Sequence, residues 1–523
     1  MKRCVLSLTF LLMSLAAFCT KYQMVNLSTS TIFNEISSKK AATSDTVFSK
    51  VVNQTSEDGE SPEEMFNVAM KYYKEGKFHE AAYWYEKAAN QGYAEAQFNL
   101  GLCYGNGQGV EEDYEKAVFW FEKAANQGDA QAQNNLGFCY YNGQGVVQNY
   151  EKAAYWIEKA ANQGYAEAQY NIGVCYDKGQ GVVQNYEKAV YWYEKAANQG
   201  YVQAQYNLGV HYYNGQGVVQ NYEKAAFWYE KAANQGYAPA QYNLGLCYDN
   251  GRGVVQSYEK AVYWYEKAAN QGIAQAQYNL GFYYENGQGV VQSDQNAAFW
   301  YEKAANQGIA QAQFNLGVCY IIGRGVGQSY EKAVYWYEKA ANQGYAPAQH
   351  NLGSCYYNGQ GVVQNYEKAA YWIEKAANQG DAQAQYNLGV CYENGQGVVQ
   401  NYKNATYWYE KAANQGYAHA QYNLGFCYDN GQGVVQSYEK AAYWYEKAAN
   451  QGDAQAQYNL GLCYVKGQGV VQSYEKAAYW FKKAANQGNA EAQYGLGLCY
   501  ENGLGVKKDL KKAKFWKDKS GIK

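Results

Sequence analysis

Apolar positions recur along this chain with a period of 36 residues, and each period contains two helical patterns. In the unit 165–200, Ala168, Ile172 and Tyr176 are spaced four residues apart, which places them on one face of a helix. A second apolar set has the spacing i, i+3, i+4, i+7 and consists of Ala189, Trp192, Tyr193 and Ala196. Each unit therefore predicts an antiparallel pair of helices, which we call helix A and helix B.

Turn residues separate the predicted helices. Gly179 is expected to end helix A and Gly200 to end helix B, each in the left-handed conformation that glycine tolerates. The tripeptide Asn-Gln-Gly closes every unit, and its glycines are Gly92, Gly128, Gly164, Gly200, Gly236, Gly272, Gly308, Gly344, Gly380, Gly416, Gly452 and Gly488. Because this register never slips, no insertion or deletion interrupts the array, and a fixed period of this length indicates a repeat architecture.

In the twelve units that follow the first pair, the residue before helix B is always Asn, Ser or Asp. These residues are Asp113, Asn149, Asn185, Asn221, Ser257, Ser293, Ser329, Asn365, Asn401, Ser437, Ser473 and Asp509. Their short polar side chains accept hydrogen bonds from the free N–H groups of a first helical turn. Free interchange among the three residue types predicts a capping role, because a catalytic or ligand-binding role would not tolerate it.

One helix pair cannot bury both of its faces, so neighbouring pairs must stack. The sequence therefore predicts an all-α fold, an α/α superhelical solenoid of about thirteen antiparallel helix pairs. Residues 63–92 form a shorter first pair, residues 93–488 form eleven 36-residue repeats, and residues 489–523 form a C-terminal repeat with a basic capping helix.

The N-terminus has the pattern of a secretory signal peptide at residues 1–19. Lys2 and Arg3 precede an apolar run that is too short to span a membrane, and cleavage is expected after Cys19. Lipid attachment to Cys19 is the weaker alternative, because Phe18 is bulky for a lipoprotein signal. Residues 20–62 are polar and aperiodic, which predicts a disordered tether. We therefore expect a secreted or periplasmic protein.

Charge and cysteine spacing exclude several kinds of site. The net charge of −3 disfavours nucleic-acid binding, which needs a basic surface. Cysteine occupies one helix-A position in ten units, and equivalent residues in adjacent layers should lie about 9–10 Å apart, beyond the reach of a disulfide. We therefore expect these cysteines to be free, buried and apolar in character. The same spacing argues against a zinc cluster, and no cofactor or metal is expected.

Ser-x-x-Lys occurs at four helix-B starts, and in penicillin-recognising enzymes this motif places a nucleophile and a lysine on one helical turn. Here the serine is a helix cap that Asn replaces in other units, and the companion motifs are missing. The four histidines lie singly in separate units. The sequence therefore predicts no catalytic site. The four matches are Ser257–Lys260, Ser329–Lys332, Ser437–Lys440 and Ser473–Lys476.

The alanines, glycines and aromatic residues of each unit closely resemble the Sel-1-like repeat, a subclass of the tetratricopeptide superfamily. In the unit 165–200 the resemblance is carried by Ala168, Ile172, Gly173, Tyr176, Gly179, Gly181, Val182, Ala189, Trp192, Tyr193, Lys195, Ala196, Ala197 and Gly200. It extends over residues 63–523, with a short tetratricopeptide-like first pair. The resemblance implies an α/α superhelix and a role as an adaptor or scaffold in protein complexes. Near-identical arrays of this kind are common in secreted proteins of bacteria.

The cysteine-rich secreted branch of that family has two cysteines per unit that tie helix A to helix B. This chain has one per unit and departs from that pattern.

Comparison between units separates a constant spine from a variable stripe on helix A, which in tetratricopeptide-type stacks lines the concave side. Counted from the residue after Asn-Gln-Gly, positions three, six and thirteen vary. Position seven is almost always Asn and position five is always Gln. These amides either grip an extended peptide or bond between layers. The candidate partner-binding residues are Tyr170, Asn171, Tyr206, Asn207, Tyr242, Asn243, Tyr278, Asn279, Phe314, Ile321, Ile322, His350, Tyr386 and Tyr422.

The function that follows is a non-enzymatic secreted or periplasmic scaffold that binds a protein or peptide through the concave helix-A surface. Two alternatives remain open: a cell-wall activity of the penicillin-binding or β-lactamase type, and an adaptor of a ubiquitin-ligase complex in the endoplasmic-reticulum lumen. The sequence does not identify the partner or the oligomeric state.

Overall fold

The computed structural model describes residues 61–522, which form 26 helices in consecutive pairs and no strand. The A helices are α1 (Pro62–Lys74), α3 (Ala94–Asn106), α5 (Ala130–Asn142), α7 (Ala166–Lys178), α9 (Val202–Asn214), α11 (Ala238–Asn250), α13 (Ala274–Asn286), α15 (Ala310–Ile322), α17 (Ala346–Asn358), α19 (Ala382–Asn394), α21 (Ala418–Asn430), α23 (Ala454–Lys466) and α25 (Ala490–Asn502). The B helices are α2 (Phe78–Asn90), α4 (Tyr114–Asn126), α6 (Tyr150–Asn162), α8 (Tyr186–Asn198), α10 (Tyr222–Asn234), α12 (Tyr258–Asn270), α14 (Asp294–Asn306), α16 (Tyr330–Asn342), α18 (Tyr366–Asn378), α20 (Tyr402–Asn414), α22 (Tyr438–Asn450), α24 (Tyr474–Asn486) and α26 (Leu510–Ser520).

The chain divides into two compact units, of which the first ends at Trp264 and the second begins at Tyr265. Within each unit, helix A packs on helix B of its own pair, and helix B packs on helix A of the next pair. This arrangement confirms the predicted all-α repeat solenoid and its thirteen helix pairs.

The helix boundaries follow from the capping residues that the sequence predicts. Asn185 accepts a hydrogen bond of 2.9 Å from the backbone N–H of Lys188, and all twelve predicted capping residues make the equivalent bond. Gly179 ends α7 with φ of +69°, and Gly200 follows α8 with φ of +89°. The predicted helix ends are therefore confirmed.

The first helix begins at Pro62, one residue before the predicted start of the repeats. The Ser61 side chain accepts from the Glu64 backbone N–H, and the Glu64 carboxylate accepts from the Ser61 N–H, so this end carries a full capping box. The predicted signal peptide, the cleavage site at Cys19 and all but the end of the predicted tether lie outside the described residues. Within residues 61–522, no helix has the length and apolar character needed to cross a bilayer.

Two glycines per unit set how closely the helices approach. A Cβ atom on Gly173 of α7 would lie 2.8 Å from the Tyr193 ring, so the pair packs tightly only because glycine is present. Gly181, in the loop between α7 and α8, has φ of +73°, and its Cβ would lie 1.9 Å from the carbonyl oxygen of Tyr150 in the preceding helix B. The loop of one pair therefore rests directly on the backbone of the pair before it.

Two matched glycine substitutions test this inter-layer contact. Gly380→Ala should cost about 1–2 kcal/mol in unfolding free energy, because its φ of +96° is unfavourable for alanine although no atom lies within 4 Å. Gly361→Ala should cost clearly more, since its Cβ would also lie 2.3 Å from the Tyr330 carbonyl oxygen. Urea unfolding followed by circular dichroism compares the two, and equal losses would show that the loop does not support the stack.

Candidate partner-binding site

The aromatic side chains at position six of helix A pack between layers and are not freely exposed. The Tyr170 ring lies 5.9 Å from the Tyr193 ring of its own pair and 5.2 Å from the Tyr201 ring of the next pair. Tyr206, Phe314 and Tyr386 make the same two contacts, Tyr278 and Tyr422 make the contact within their own pair, and Tyr242 is half-buried. Their half-buried rings therefore contribute to stacking, whatever else they bind.

Three asparagines at position seven, Asn171, Asn243 and Asn387, bond back to position six of the preceding pair. The Asn171 amide donates to Asn134 Oδ1 at 3.1 Å, and the Asn243 amide donates to the Tyr206 hydroxyl at 3.4 Å. Asn207 and Asn279 are half-buried at the same position. Of the two readings that the sequence left open, these contacts favour the one in which the amides hold the layers together.

The glutamines at position five form what we call the amide ladder. The Gln169 side chain, only 4% exposed, donates to the Ala161 carbonyl of the preceding helix B at 3.2 Å. Its Oε1 accepts from Gln199 Nε2 at 2.8 Å, and Gln199 also donates to the Gly164 carbonyl at 2.9 Å. Gln199 is the glutamine of the Asn-Gln-Gly tripeptide that ends the unit. This tripeptide therefore supplies the second glutamine of the amide ladder. Because the Gln169 side chain is buried and both ends of its amide are bonded, position five is not accessible to a ligand.

In several layers position thirteen bonds with a loop residue of the next layer. The Tyr141 hydroxyl donates to Gln180 Oε1 at 2.6 Å, and the Glu285 carboxylate accepts from Arg324 at 3.0 Å. Acidic residues at this position also accept from the buried helix-B tyrosine of their own pair, as Glu393 does from Tyr409. This part of the predicted stripe therefore stabilises the stack.

Two other positions on helix A carry exposed side chains in some of the layers, and we call them the helix-A face. At position three, Gln311, Gln383, His419, Gln455 and Glu491 are exposed. At position ten, which the sequence analysis missed, the exposed side chains are Phe282 (43%) and Phe426 (37%). An apolar residue four positions after the position-six ring was the signal that could have identified position ten.

The apolar pair at the end of α15 is divided by the structure. Ile321 packs against the core, whereas Ile322 is 52% exposed. Only Ile322 therefore belongs to an accessible surface.

Each of three histidines lies against an aspartate from a neighbouring layer. His350 is buried at position six of α17, with Nδ1 3.9 Å from Asp381 Oδ1 and Nε2 2.9 Å from the Asn387 amide. Burial lowers the pKa of His350, and Asp381 opposes that shift. The other two pairs are His211–Asp177 at 3.4 Å and His419–Asp453 at 3.3 Å. Within residues 61–522, no three His, Cys, Asp or Glu side chains converge on a metal position.

The ten repeat cysteines are buried and unpaired, as the sequence predicts. Burial raises the pKa of Cys103 to about 12 and that of Cys355 to about 11, so the thiols stay protonated at neutral pH. The ten are Cys103, Cys139, Cys175, Cys247, Cys319, Cys355, Cys391, Cys427, Cys463 and Cys499. Cys4 and Cys19 lie outside the described residues.

The Ser-x-x-Lys motifs have the geometry of helix caps. The Ser257 hydroxyl accepts from the Lys260 backbone N–H at 3.3 Å. The Lys260 ammonium lies 5.1 Å from the centre of the Tyr248 ring of helix A, and the lysines of the other three motifs also lie over helix-A tyrosines. A base that is held on an aromatic ring is not positioned to activate the serine.

A second surface that the sequence analysis missed is a row of aromatic side chains on the B helices. Tyr191 is 52% exposed, with its ring 5.1 Å from Trp192 and the Lys195 ammonium 5.0 Å from its centre. The helix-B aromatic row consists of Tyr83, Phe119, Tyr155, Tyr191, Phe227, Tyr263, Phe299, Tyr335, Tyr371, Tyr407, Tyr443, Tyr479 and Phe515. An aromatic residue in every unit, outside the i, i+3, i+4, i+7 set, was the available signal.

Comparison with known proteins gives one family. A family model described as Sel1 repeat matches residues 65–93, 94–129, 130–165, 166–201, 202–237, 238–273, 274–309, 310–345, 346–381, 382–417, 418–453, 454–489 and 490–517. A protective antigen of uropathogenic Escherichia coli, c5321, which displays an SLR fold, is 39% identical, with 77% of this chain and 86% of that chain covered and a TM-score of 0.73. A Sel1 repeat protein from Oxalobacter formigenes is 34% identical over 64% of this chain and 96% of its own, with a TM-score of 0.47. None of the proteins with a curated function matches the sequence.

Substitutions at two glutamines of α19 test the role of the amide ladder. Gln385→Met keeps the volume but removes a bond to Ala377 at 3.1 Å and one from Gln415 at 2.8 Å, so it should cost roughly 1–3 kcal/mol in unfolding free energy. Gln383→Met, on the exposed side of the same helix, should stay within about 0.5 kcal/mol of the parent. Urea unfolding measures both, and a neutral Gln385→Met would remove the ladder from the stabilising contacts.

The raised thiol pKa values predict low reactivity. At pH 8, a thiol with a pKa of about 11 to 12 carries on the order of one thiolate per thousand molecules or fewer, so the ten repeat cysteines should resist a disulfide reagent in the folded protein. The same cysteines should react fully in guanidinium. Mass spectrometry of the labelled peptides counts them separately from Cys4 and Cys19. Rapid labelling in the folded state would contradict the burial.

Proposed function

The chain belongs to the Sel1 repeat family, and from that premise we propose that it is a non-enzymatic scaffold that binds a protein or peptide through its helix-A face. Sel1 repeat proteins commonly mediate contacts between proteins. The proposal includes two further points: that the partner binds on the helix-A face, and that this face is concave.

The proposal rests on one observation: some positions of helix A make contacts within the stack, whereas others are exposed to solvent. Positions five, seven and thirteen are engaged in bonds between layers or within a pair, and the position-six rings pack between layers. Positions three and ten keep exposed side chains, including Gln383 and Phe426. A surface whose exposed residues differ between layers, over a spine that does not change, can select one partner without altering the fold.

The exposed chemistry of the helix-A face suits an extended polypeptide. Position three offers amide, carboxylate and imidazole groups, and position ten offers scattered apolar side chains such as Phe282 and Phe426. Amides supply hydrogen bonds to a peptide backbone, whereas separated apolar side chains provide contacts for alternate side chains of the bound segment. We place the binding residues at positions three and ten, with the exposed edges of the position-six rings and Ile322 as further contacts.

The contacts and burial of the serine, lysine and cysteine side chains support the non-enzymatic part of the proposal. Each Ser-x-x-Lys serine caps a helix, each of its lysines lies on an aromatic ring, and the repeat thiols are buried. These contacts disfavour the penicillin-binding and β-lactamase alternative.

We also propose that the protein is secreted or periplasmic. The support is the N-terminal sequence, in which Lys2 and Arg3 precede an apolar run from Val5 to Phe18 with small residues before the expected cleavage site.

Arginine substitutions on the helix-A face test the proposal. Gln311→Arg, Gln383→Arg and Gln455→Arg together should abolish capture of the partner, because three charged side chains obstruct a surface that is neutral at these positions. The helical signal and melting temperature should not change, since all three residues are exposed. Affinity capture with the mature chain, quantified by mass spectrometry, gives the readout.

The control places the same charge at equally exposed loop positions. Val363→Arg, Val399→Arg and Val471→Arg together should capture the same partner as the parent chain, because these valines lie off the helix-A face and are 88–89% exposed. Capture that survives the glutamine substitutions, or that the valine substitutions abolish, would move the binding surface elsewhere. The tyrosines at position six are unsuitable for this purpose, because their rings pack between layers and their removal would weaken the stack.

A further inference from the structure

The rings of the helix-B aromatic row contact the adjacent tryptophan and a lysine on one side, and about half of each ring stays exposed to solvent. In the second unit it comprises Phe299, Tyr335, Tyr371, Tyr407, Tyr443, Tyr479 and Phe515, each between 49% and 57% exposed. Rows of this kind are unusual, because a solvated helix face has no need of large apolar side chains and soluble proteins rarely expose contiguous apolar patches beyond a few hundred Å². The row therefore indicates an interface.

The row is continuous within the unit because the amide ladder aligns successive B helices. Gln415, at the end of α20, donates to the Gly380 carbonyl that follows α18 at 3.0 Å, and Gln451 donates to the Gly416 carbonyl at 2.9 Å. Equivalent residues of adjacent B helices therefore occupy equivalent places, one per layer. Because adjacent layers lie roughly 9–10 Å apart, successive rings recur along the row at about that spacing.

Each ring carries a lysine. In the five layers from Phe299 to Tyr443 that lysine follows a glutamate, whereas Lys483 follows Lys482 and Lys519 follows Asp518. The Lys339 ammonium lies 4.9 Å from the centre of the Tyr335 ring, and Lys375 and Lys411 lie 4.7 Å and 5.1 Å from the rings of Tyr371 and Tyr407. The preceding residues, Glu338, Glu374 and Glu410, are exposed. Over the five layers from Phe299 to Tyr443, each apolar ring is therefore accompanied by a pair of opposite charges, and this part of the surface is locally neutral.

We propose that the helix-B aromatic row of the second unit binds the same row of a second copy of this chain in an antiparallel, two-fold symmetric contact. A partner that touches every ring must repeat with the spacing of the layers, and a second copy does so by construction. Under two-fold symmetry the Glu-Lys order reverses across the contact, which sets the lysines of one copy against the glutamates of the other. The charge pattern is therefore self-complementary.

The exposed rings supply most of the area that a stable dimer needs. An aromatic side chain has about 150–250 Å² to bury, so seven half-exposed rings offer on the order of 700 Å² per copy. A standard interface needs about 800 Å² per partner, which the lysine stems beside the rings can complete. An open groove of about 480 Å³ lined by Phe299, Glu302 and Lys303 offers space for a ring of the second copy.

Sedimentation velocity of the full chain over a range of concentrations tests the proposal, with the expectation of a reversible dimer. Tyr335→Lys, Tyr371→Lys and Tyr407→Lys together should leave a monomer with unchanged helical content, because these rings are half exposed. Val363→Lys, Val399→Lys and Val435→Lys, at positions 88–89% exposed in the loops, should remain dimeric. A monomeric parent chain, dimeric ring variants or monomeric valine variants would each overturn the proposal.

Charge reversal tests the self-complementary part without touching the rings. Lys339→Glu, Lys375→Glu and Lys411→Glu in one chain should weaken dimerisation by on the order of a hundredfold, because glutamates then face glutamates. Glu338→Lys, Glu374→Lys and Glu410→Lys in another chain should have the same effect. An equimolar mixture of the two variants should restore the dimer as a heterodimer, and a mixture that stays monomeric would exclude the antiparallel arrangement.

The two proposals for this chain fail separately. The arginine variants of the helix-A face should dimerise like the parent, and the lysine variants of the row should still capture the helix-A partner. Binding of an unrelated protein or a polysaccharide to the row of a chain that remains monomeric would replace the second copy as its occupant.

Discussion

Each layer of this protein is completed by a buried amide that bonds to the layers around it. The position-five glutamine donates to the end of one helix B and accepts from the glutamine that closes the next. Buried amides are costly unless both of their groups are bonded, so the ladder stabilises the stack only when successive pairs hold one register. The glycines in the loops add a steric requirement, because Gly181 brings its loop onto the backbone of the pair before it.

This requirement explains why so much of the sequence is constant. Position thirteen contacts the loop of the next layer, as Tyr141 does with Gln180 and Glu285 does with Arg324. The exposed residues of the helix-A face differ between layers and are available to a partner, whereas the helix-B aromatic row is Tyr or Phe in every pair and forms the proposed second interface.

The same packing makes several potentially reactive side chains, among them the repeat cysteines and the Ser-x-x-Lys lysines, unavailable for catalysis. Burial raises the pKa of the repeat cysteines, and it lowers the pKa of His350, so both groups are held in their neutral forms. The Ser-x-x-Lys lysines are held over rings. Reactive residue types thus occur in this protein because they fit the spine, and repetition multiplies them without bringing them together.

The sequence by itself determined the helix pairs, their boundaries and the stacking, because capping residues, glycine positions and apolar spacing are local and recur in every unit. Asn185, Gly179 and Gly200 all act as predicted. Only the tertiary structure decided which repeated positions are engaged. The amides at positions five and seven bond between layers, the position-six rings are half-buried, and the ring before each helix-B tryptophan is exposed. The first two outcomes depend on the neighbouring layer, because these amides and rings are buried or bonded by residues of the adjacent helix pair. The sequence pattern of a single unit does not specify those contacts.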